Sequence, residues 1–167
     1  YPGIGAFITY QDRYGSFWVA STNGLFYFNG TTFIKIKDHH AYLNTSFFEI
    51  VDDLQGSLWL TSNKGIIQIS KNELDEYTSG KIPAVNALLY DEGDGMLNRQ
   101  ATGARHSILT KEGLIMIPTL QGLAIVAPAN MVKNSIPPHV VINGLYFNSK
   151  LIDTTAPIFD AGVHQYV

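Results

Sequence analysis

The stretch that most constrains this chain runs from Asp53 to Gly65, because the chain contains it more than once. Asp12 to Gly24 repeats it with an offset of 41 at every matched position: Asp12 and Asp53, Gly15 and Gly56, Trp18 and Trp59, Gly24 and Gly65. A weaker third copy spans Thr110 to Gly122, where Gly113, Met116 and Gly122 each lie 57 beyond Gly56, Trp59 and Gly65. Self-similarity at a fixed period of about 40 to 50 residues is how stacked β-units look in sequence.

Each copy sits in a run of short strand signals. Ala6 to Tyr10, Ser16 to Ala20, Leu25 to Phe28 and Thr32 to Ile36 read as four strands. Asp12 and Gly15 take the first and last positions preferred in a type I turn. Asn23-Gly24 and Asn29-Gly30 tolerate the positive φ that tight hairpins require. Four strands within one such unit make a meander close to a propeller blade. Phe17, Trp18 and Val19 are consecutive apolar residues, which predicts a second strand buried on both faces. The second unit follows a polar link from Lys37 to Thr45, with strands over 47 to 51, 57 to 61, 66 to 69 and 85 to 90. Ser70 with Glu73 three residues on predicts a capping box and a short helix near 71–78. The third meander is expected over Ala104 to Leu109, Leu114 to Pro118 and Leu123 to Val126. Pro128 opens a short helix near 129–133.

Pro137-Pro138 is a stiff boundary. Val140 to Phe147 and Gly162 to Val167 read as strands of another domain, too short a segment to bury a core alone. The fold class is therefore all-β: β-propeller blades, about three four-stranded meanders over 1–137 (blades about 5–36, 47–90 and 104–127), then the first strands of a β-sandwich over 138–167. A closed propeller needs about four blades or more, so the chain is expected to be an excerpt of a longer protein.

Of the 167 residues, 46% are hydrophobic and 15% charged, which suits a packed core and argues against disorder. A net charge of −3 gives no electrostatic case for nucleic acid. There are no cysteines, so disulfides and thiol chemistry are excluded. No apolar run reaches the ~18 to 20 residues of a membrane span.

Candidate chemistry is sparse. His39 and His40 are adjacent on what reads as extended chain and point apart, so one ion would not suit both; a solvated loop is the better reading. Asp91, Glu92 and Asp94 resemble a calcium loop only superficially, since Gly93 and Gly95 fall where EF-hand oxygens belong. No metal site and no cofactor are expected. Arg99, Gln100, Arg105 and His106 cluster at the entry to the third meander and could bind an anionic or sugar-like ligand by charge-assisted hydrogen bonds; a solvated surface or fixed turn is the alternative. No Ser-His-Asp grouping, phosphate loop or zinc pattern is visible, so catalysis within the stretch is not expected.

Asp-x-x-Gly-x-x-Trp, with Gly six residues after the Trp, and the tail Pro137-Pro138-His-Val-Val-Ile give the chain a resemblance to the two-component regulator propeller family. These are periplasmic sensor portions of bacterial hybrid histidine kinases and diguanylate cyclases. Gly15, Trp18, Ser21, Gly24 and Leu25 match the family's blade motif, as do Gly56, Trp59, Ser62, Gly65 and Ile66. Asp94-Gly95-Met96, Gly113 with Pro118-Thr119, Gly122-Leu123 and Pro137-Pro138 resemble its last blade. The segment from 139 to 167 resembles the start of the immunoglobulin-like triple-tyrosine domain. Met116 departs from the usual aromatic, and Ala127 stands where Asp is common. Pro118-Thr119 looks more like the cyclase-linked branch.

The resemblance implies an extracytoplasmic, periplasmic ligand-sensing region of a membrane signalling protein. The region itself would be non-catalytic and held to the membrane only through its parent protein. Its partners would be a small-molecule or oligosaccharide ligand and further copies of itself, with no nucleic acid. A polysaccharide-acting propeller enzyme and a passive protein-interaction propeller are the alternatives.

Overall fold

The computed structural model describes residues 5–131, 145–148 and 150–152. The chain divides into two compact units, Tyr1–Met131 and Val132–Val167.

The first unit holds three antiparallel sheets, each a run of sequence-adjacent strands. In the first, β1 (Ala6–Gln11), β2 (Phe17–Ser21), β3 (Gly24–Phe28) and β4 (Phe33–Lys35) pair in chain order. The second repeats the order with β5 (Phe47–Asp52), β6 (Ser57–Ser62), β7 (Ile66–Ser70) and β8 (Leu88–Tyr90). The third has β9 (Ile108–Leu109), β10 (Ile115–Thr119) and β11 (Gly122–Val126), with β10 central. The one α-helix among the described residues, α1 (Lys71–Thr78), lies between β7 and β8. This is an all-β architecture.

The repeat is structural down to its irregularities. A register shift falls between Ala6 and Ile8 in β1 and between Phe47 and Glu49 in β5, 41 residues apart. At the start of the third strand of each four-stranded sheet, Gly24 (φ 114°) and Gly65 (φ 138°) occupy a backbone region that L side chains avoid. A Cβ on Gly24 would come 2.8 Å from the Leu43 carbonyl, and one on Gly65 would strike the Tyr90 carbonyl. Both sites thus require glycine for conformation and for space.

Successive strand residues point to opposite faces, and the registers assign those faces. In the first sheet Trp18 pairs with Tyr10 and Tyr27, and this face packs on the Ile50, Leu58, Leu60, Ile67 and Ile69 face of the second. The opposite face of the second sheet carries Val51, Trp59 and Ile66, which meet Ile115 and Ile117 of the third. The first and second sheets therefore each present the tryptophan face to the aliphatic face of the sheet that follows.

Several local expectations need correction. The third sheet has three strands rather than four; after Val126 the chain runs into Pro128, which lacks an N–H to pair, and forms a 3₁₀ turn over Pro128–Asn130. That turn replaces the part of the 129–133 helix that can be described; 132 and 133 lie outside the described residues. The capping box at Ser70 does not form. Ser70 closes β7 with extended backbone and makes no side-chain cap bond, and the Glu73 carboxyl, which would supply the other half of the box, accepts instead from Asn86 N and Nδ2, both at 2.8 Å. A box of the same design forms at Asp91 and Asp94, around a 3₁₀ turn over Glu92–Asp94. Val85 is not in β8 but bridges Asp38 in parallel. Phe17 is 43% exposed, against the expectation of burial on both faces, since the second sheet covers the Trp18 face and not the Phe17 face; it is the equivalent strand β6 that is buried on both faces.

In the second unit, β12 (Leu145–Phe147) and β13 (Lys150–Ile152) form an antiparallel hairpin. The expected strand segments at 140–144 and 162–167 lie outside the described residues.

Candidate functional site

Each four-stranded sheet is locked by one aspartate. Asp12 Oδ1 accepts from the N–H of Tyr14 and of Ser16, both at 2.9 Å, and its other oxygen accepts from Trp18 Nε1 at 3.3 Å. Asp53 does the same with Gln55 N, Ser57 N and Trp59 Nε1, at 2.8, 2.9 and 2.9 Å. A carboxylate that satisfies two turn amides and an indole N–H removes the polar cost of burying the tryptophan. In the third copy Thr110 Oγ1 accepts from Leu114 N alone, and Met116, which has no donor, fills the tryptophan's place. Ser21, Ser62 and Thr119 hydroxyls each donate to the carbonyl of the glycine three residues on. These repeated residues hold the fold; none of these bonds leaves a group aimed at a ligand.

The polar groups that differ between the copies lie between sheets. Asp52 is nearly buried and accepts from Tyr10 Oη at 2.6 Å, from Leu54 N at 2.8 Å and from the Lys71 ammonium. Burial pushes its pKa up, but bonds from Lys71, Tyr10 and Leu54 outweigh this and hold it below the ordinary carboxylate value. The same geometry raises the Tyr10 phenol, first through burial and then through the bond to Asp52. Tyr10 is on the first sheet and Asp52 on the second, so this group fastens one to the other.

Glu49 is 6% exposed and occupies the position of Ile8 in the earlier copy. Its carboxyl accepts from Ser107 N at 2.8 Å and Ser107 Oγ at 2.5 Å, and its other oxygen lies 3.0 Å from His106 Nδ1. The His106 side chain is otherwise solvent-facing, at 88% exposure. The carboxyl, not the imidazole, sits between the other two groups. No hydrogen bond among the described residues joins Ser107 Oγ to His106, so the serine lacks the adjacent base that an activated nucleophile needs.

The four candidate ligand-binding residues separate into two anchored pairs. Arg99 is exposed; its N–H donates to Glu92 Oε1 at 3.0 Å and its Nε lies 3.8 Å from Glu92 Oε2. Gln100 N donates to Asn98 Oδ1, and its carbonyl accepts from Leu120 N. Arg105 is exposed and has no ion pair or hydrogen bond to another described residue. His106 is held by Glu49. The loop before the third sheet thus docks at both ends and leaves Arg105 available to solvent. Asp38 accepts from the N–H groups of His40, Tyr42 and Leu43, a role that fixes its loop, and His40 lies against Tyr42. Among the described residues no group of three or more His, Cys, Asp or Glu could hold a metal ion, and no helix is long and apolar enough to cross a membrane.

Sequence reasoning missed Glu49, Ser107, Asp52 and Lys71. A signal for Glu49 was present: an acidic residue at the position where the copy 41 residues earlier has Ile8.

No family model matches the chain, and no curated protein matches it. Solved structures do. The chain is similar to the extracellular domain of BT4673 of B. thetaiotaomicron, described as a hybrid two-component system, with 23% identity over 74% of the chain and a TM-score of 0.61. It is also similar to the extracellular domain of BT3049, described as a hybrid two-component system of the same organism, with 19% identity over 88% of the chain and a TM-score of 0.61. The chain spans 17% and 20% of those domains. At this identity the likeness is one of fold.

Proposed function

We propose that the chain is part of the extracytoplasmic, periplasmic sensor region of a bacterial membrane signalling protein, built as blades of a β-propeller followed by the start of an immunoglobulin-like domain. The observation that supports this most is the head-to-tail packing of repeated antiparallel meanders in a chain whose fold is similar to extracellular domains of hybrid two-component systems. The region is non-catalytic, and the parent protein supplies the membrane anchor and a histidine kinase or diguanylate cyclase output.

The ligand is a small anionic molecule or an oligosaccharide, received by Arg105 with Arg99, Gln100 and His106 on the loop before the third sheet. Arg105 is the donor with the most freedom to engage a carboxylate or sugar hydroxyls, since Arg99 and His106 are already held. Signal transmission requires that the ligand bind two arrangements of the region with different affinity.

A thermal-shift survey of small carboxylates and of acidic and neutral oligosaccharides tests this reading. A ligand at 100 times its Kd stabilises the bound form by about 2.7 kcal/mol. One ligand class should raise the melting temperature, and Arg105→Ala should abolish the rise without changing the unliganded value. No shift with any carboxylate or glycan, or a shift that survives the substitution, overturns the assignment. Glycan cleavage during incubation would point to a polysaccharide-acting enzyme instead.

A further inference from the structure

The register shifts in the two four-stranded sheets carry the same residue. Between Ala6 and Ile8 in β1, and between Phe47 and Glu49 in β5, one residue has no partner on the neighbouring strand: Phe7 in the first copy and Phe48 in the second. A bulge of this kind bends its strand and re-aims the side chain it holds. The two rings meet with centroids 5.4 Å apart and planes at 86°. Phe7 is thus turned along the stack towards the second sheet, and its ring does not belong to the outward face that carries Phe17. Phe48 packs against the cluster around Trp59 and meets the loop before the third sheet, where a Cβ on Gly103 would come 3.3 Å from its ring. Glycine at 103 lets that loop lie directly on the aromatic pair.

Arg105 stands 57 residues beyond Phe48, the offset of the third copy, so it occupies the matching position in sequence. Its neighbour His106 is held by Glu49, the residue that follows Phe48. One end of the stack therefore carries ring, ring and cation in successive copies. Phe48 is half-buried, whereas Phe7 is 51% exposed. A lone exposed phenylalanine needs no explanation. Here the unpaired position holds phenylalanine twice, and the open ring lies in line with a loop whose guanidinium has no ion pair.

We propose that Phe7 and Arg105 are the two ends of one binding rim for an acidic oligosaccharide, with Phe48 positioning both; this rests on the ligand site proposed above at Arg105. The C–H face of a sugar ring is apolar and weakly positive, and suits the negative face of an aromatic ring. A uronate carboxylate suits the guanidinium, which can hold it with two parallel N–H donors. The Phe48 ring and the Gly103–Ala104 step separate Phe7 from Arg105, so a ligand that touches both covers more than one sugar ring. Arg105 then selects the charge, and Phe7 selects chain length.

Titration calorimetry of the full chain tests this with galacturonate, guluronate and mannuronate oligomers of one to four units, and with their carboxyl-reduced forms as neutral controls. At least one trimer should bind about 10-fold or more tightly than its monomer and than its reduced form. Phe7→Ala and Phe7→Leu should each weaken that trimer by about 10-fold or more, with monomer binding and circular dichroism unchanged. Phe7→Leu keeps apolar bulk, so its loss reports the ring and not the fold; Phe7→Trp should retain binding. Arg105→Ala should weaken trimer and monomer alike. Equal affinity for monomer and trimer, a trimer that binds Phe7→Leu as well as the wild type, or a preference for the reduced form overturns the rim but leaves Arg105 as a ligand site. Binding indifferent to Arg105→Ala overturns both. Failure of every uronate oligomer to bind also overturns the rim, while a small carboxylate that still binds through Arg105 keeps the broader reading.

Discussion

The two junctions between sheets use the same backbone repeat and fill it differently. Between the first and second sheets the centre is aliphatic and aromatic, with Ile8, Trp18, Leu25, Leu58, Leu60 and Ile69 in one cluster that extends to Leu74 of α1. Its polar fastening, Tyr10 to Asp52 to Lys71, joins strands and the start of the helix. Between the second and third sheets the cluster is smaller, around Trp59, Ile115 and Ile117, and Glu49 stands where the first junction has Ile8. Its fastening reaches a loop and not a strand. The first junction therefore holds by burial with one ionic clasp, while the second uses a buried carboxyl to hold the Arg105–His106 end of a loop whose other end is tied by backbone bonds such as Ala101 N–H to the Ser62 carbonyl, at 3.0 Å.

The largest expected effect compares the two tryptophans. Trp59→Ala should destabilise by about 3–5 kcal/mol as a core truncation, and it also leaves Asp53 without its indole donor. Trp18→Ala should lose less, because its bond to Asp12 is longer, 3.3 against 2.9 Å. Urea unfolding of both variants measures the difference; equal losses would make the two junctions energetically alike. Next in size is the glutamate. Glu49→Ala should cost about 1–3 kcal/mol by stranding the Ser107 N–H, and should release the loop from 103 to 107, since 99 to 102 keep their bonds to Glu92, Ser62, Pro118 and Leu120. Hydrogen exchange at Ser107 should rise strongly in that variant, while the amides of β1 and β2 stay protected. Uniform loosening of both junctions would refute the division of labour.

How much of this was legible in the sequence depends on whether a residue acts on its own backbone or on a distant one. The meanders were visible because Gly24 and Gly65 demand positive φ, and because Trp18 and Trp59 recur at a fixed distance from them. The short strands at 33–35 and 88–90 were placed to within a few residues for the same reason. The capping box at Ser70 was not to be had from local pattern, since Asn86, 13 residues beyond Glu73, competes for the same carboxyl with two donors. The Asp-to-Trp bond was readable in principle: an acid three residues before the glycine and six before the tryptophan occurs in both copies. The candidate binding residues were found as a cluster in sequence, but their separation into a loop held by Glu92 and by Glu49 depends on contacts across as many as 58 positions.

Acid should weaken the clasp of the first junction. The Asp52 pKa is lower when folded than its unfolded value of about 3.9, so its contribution to stability is present above about pH 4 and is lost as pH falls through the folded value. Tyr10, whose pKa is raised, contributes below about pH 10 and loses that contribution as pH rises beyond it. Stability measured by urea from pH 7 down to 2.5 should fall less steeply in Asp52→Asn than in the wild type. Parallel curves would remove the clasp from the account.

The smallest effect distinguishes a sequence motif from a working one. Ser70→Ala at an ordinary N-cap costs about 0.5–2 kcal/mol, yet Ser70 makes no cap bond here, so the change should fall below about 0.5 kcal/mol. Glu73→Ala should cost more, although Glu73 belongs to the same apparent motif, because it removes both bonds to Asn86 and loosens the segment that returns from α1 to β8. The order of these two variants in urea midpoint is the measurement, with Glu73→Ala the lower. The reverse order would mean that α1 is held from its own first turn, and that the first junction owes its helix to local capping and not to the chain folding back upon it.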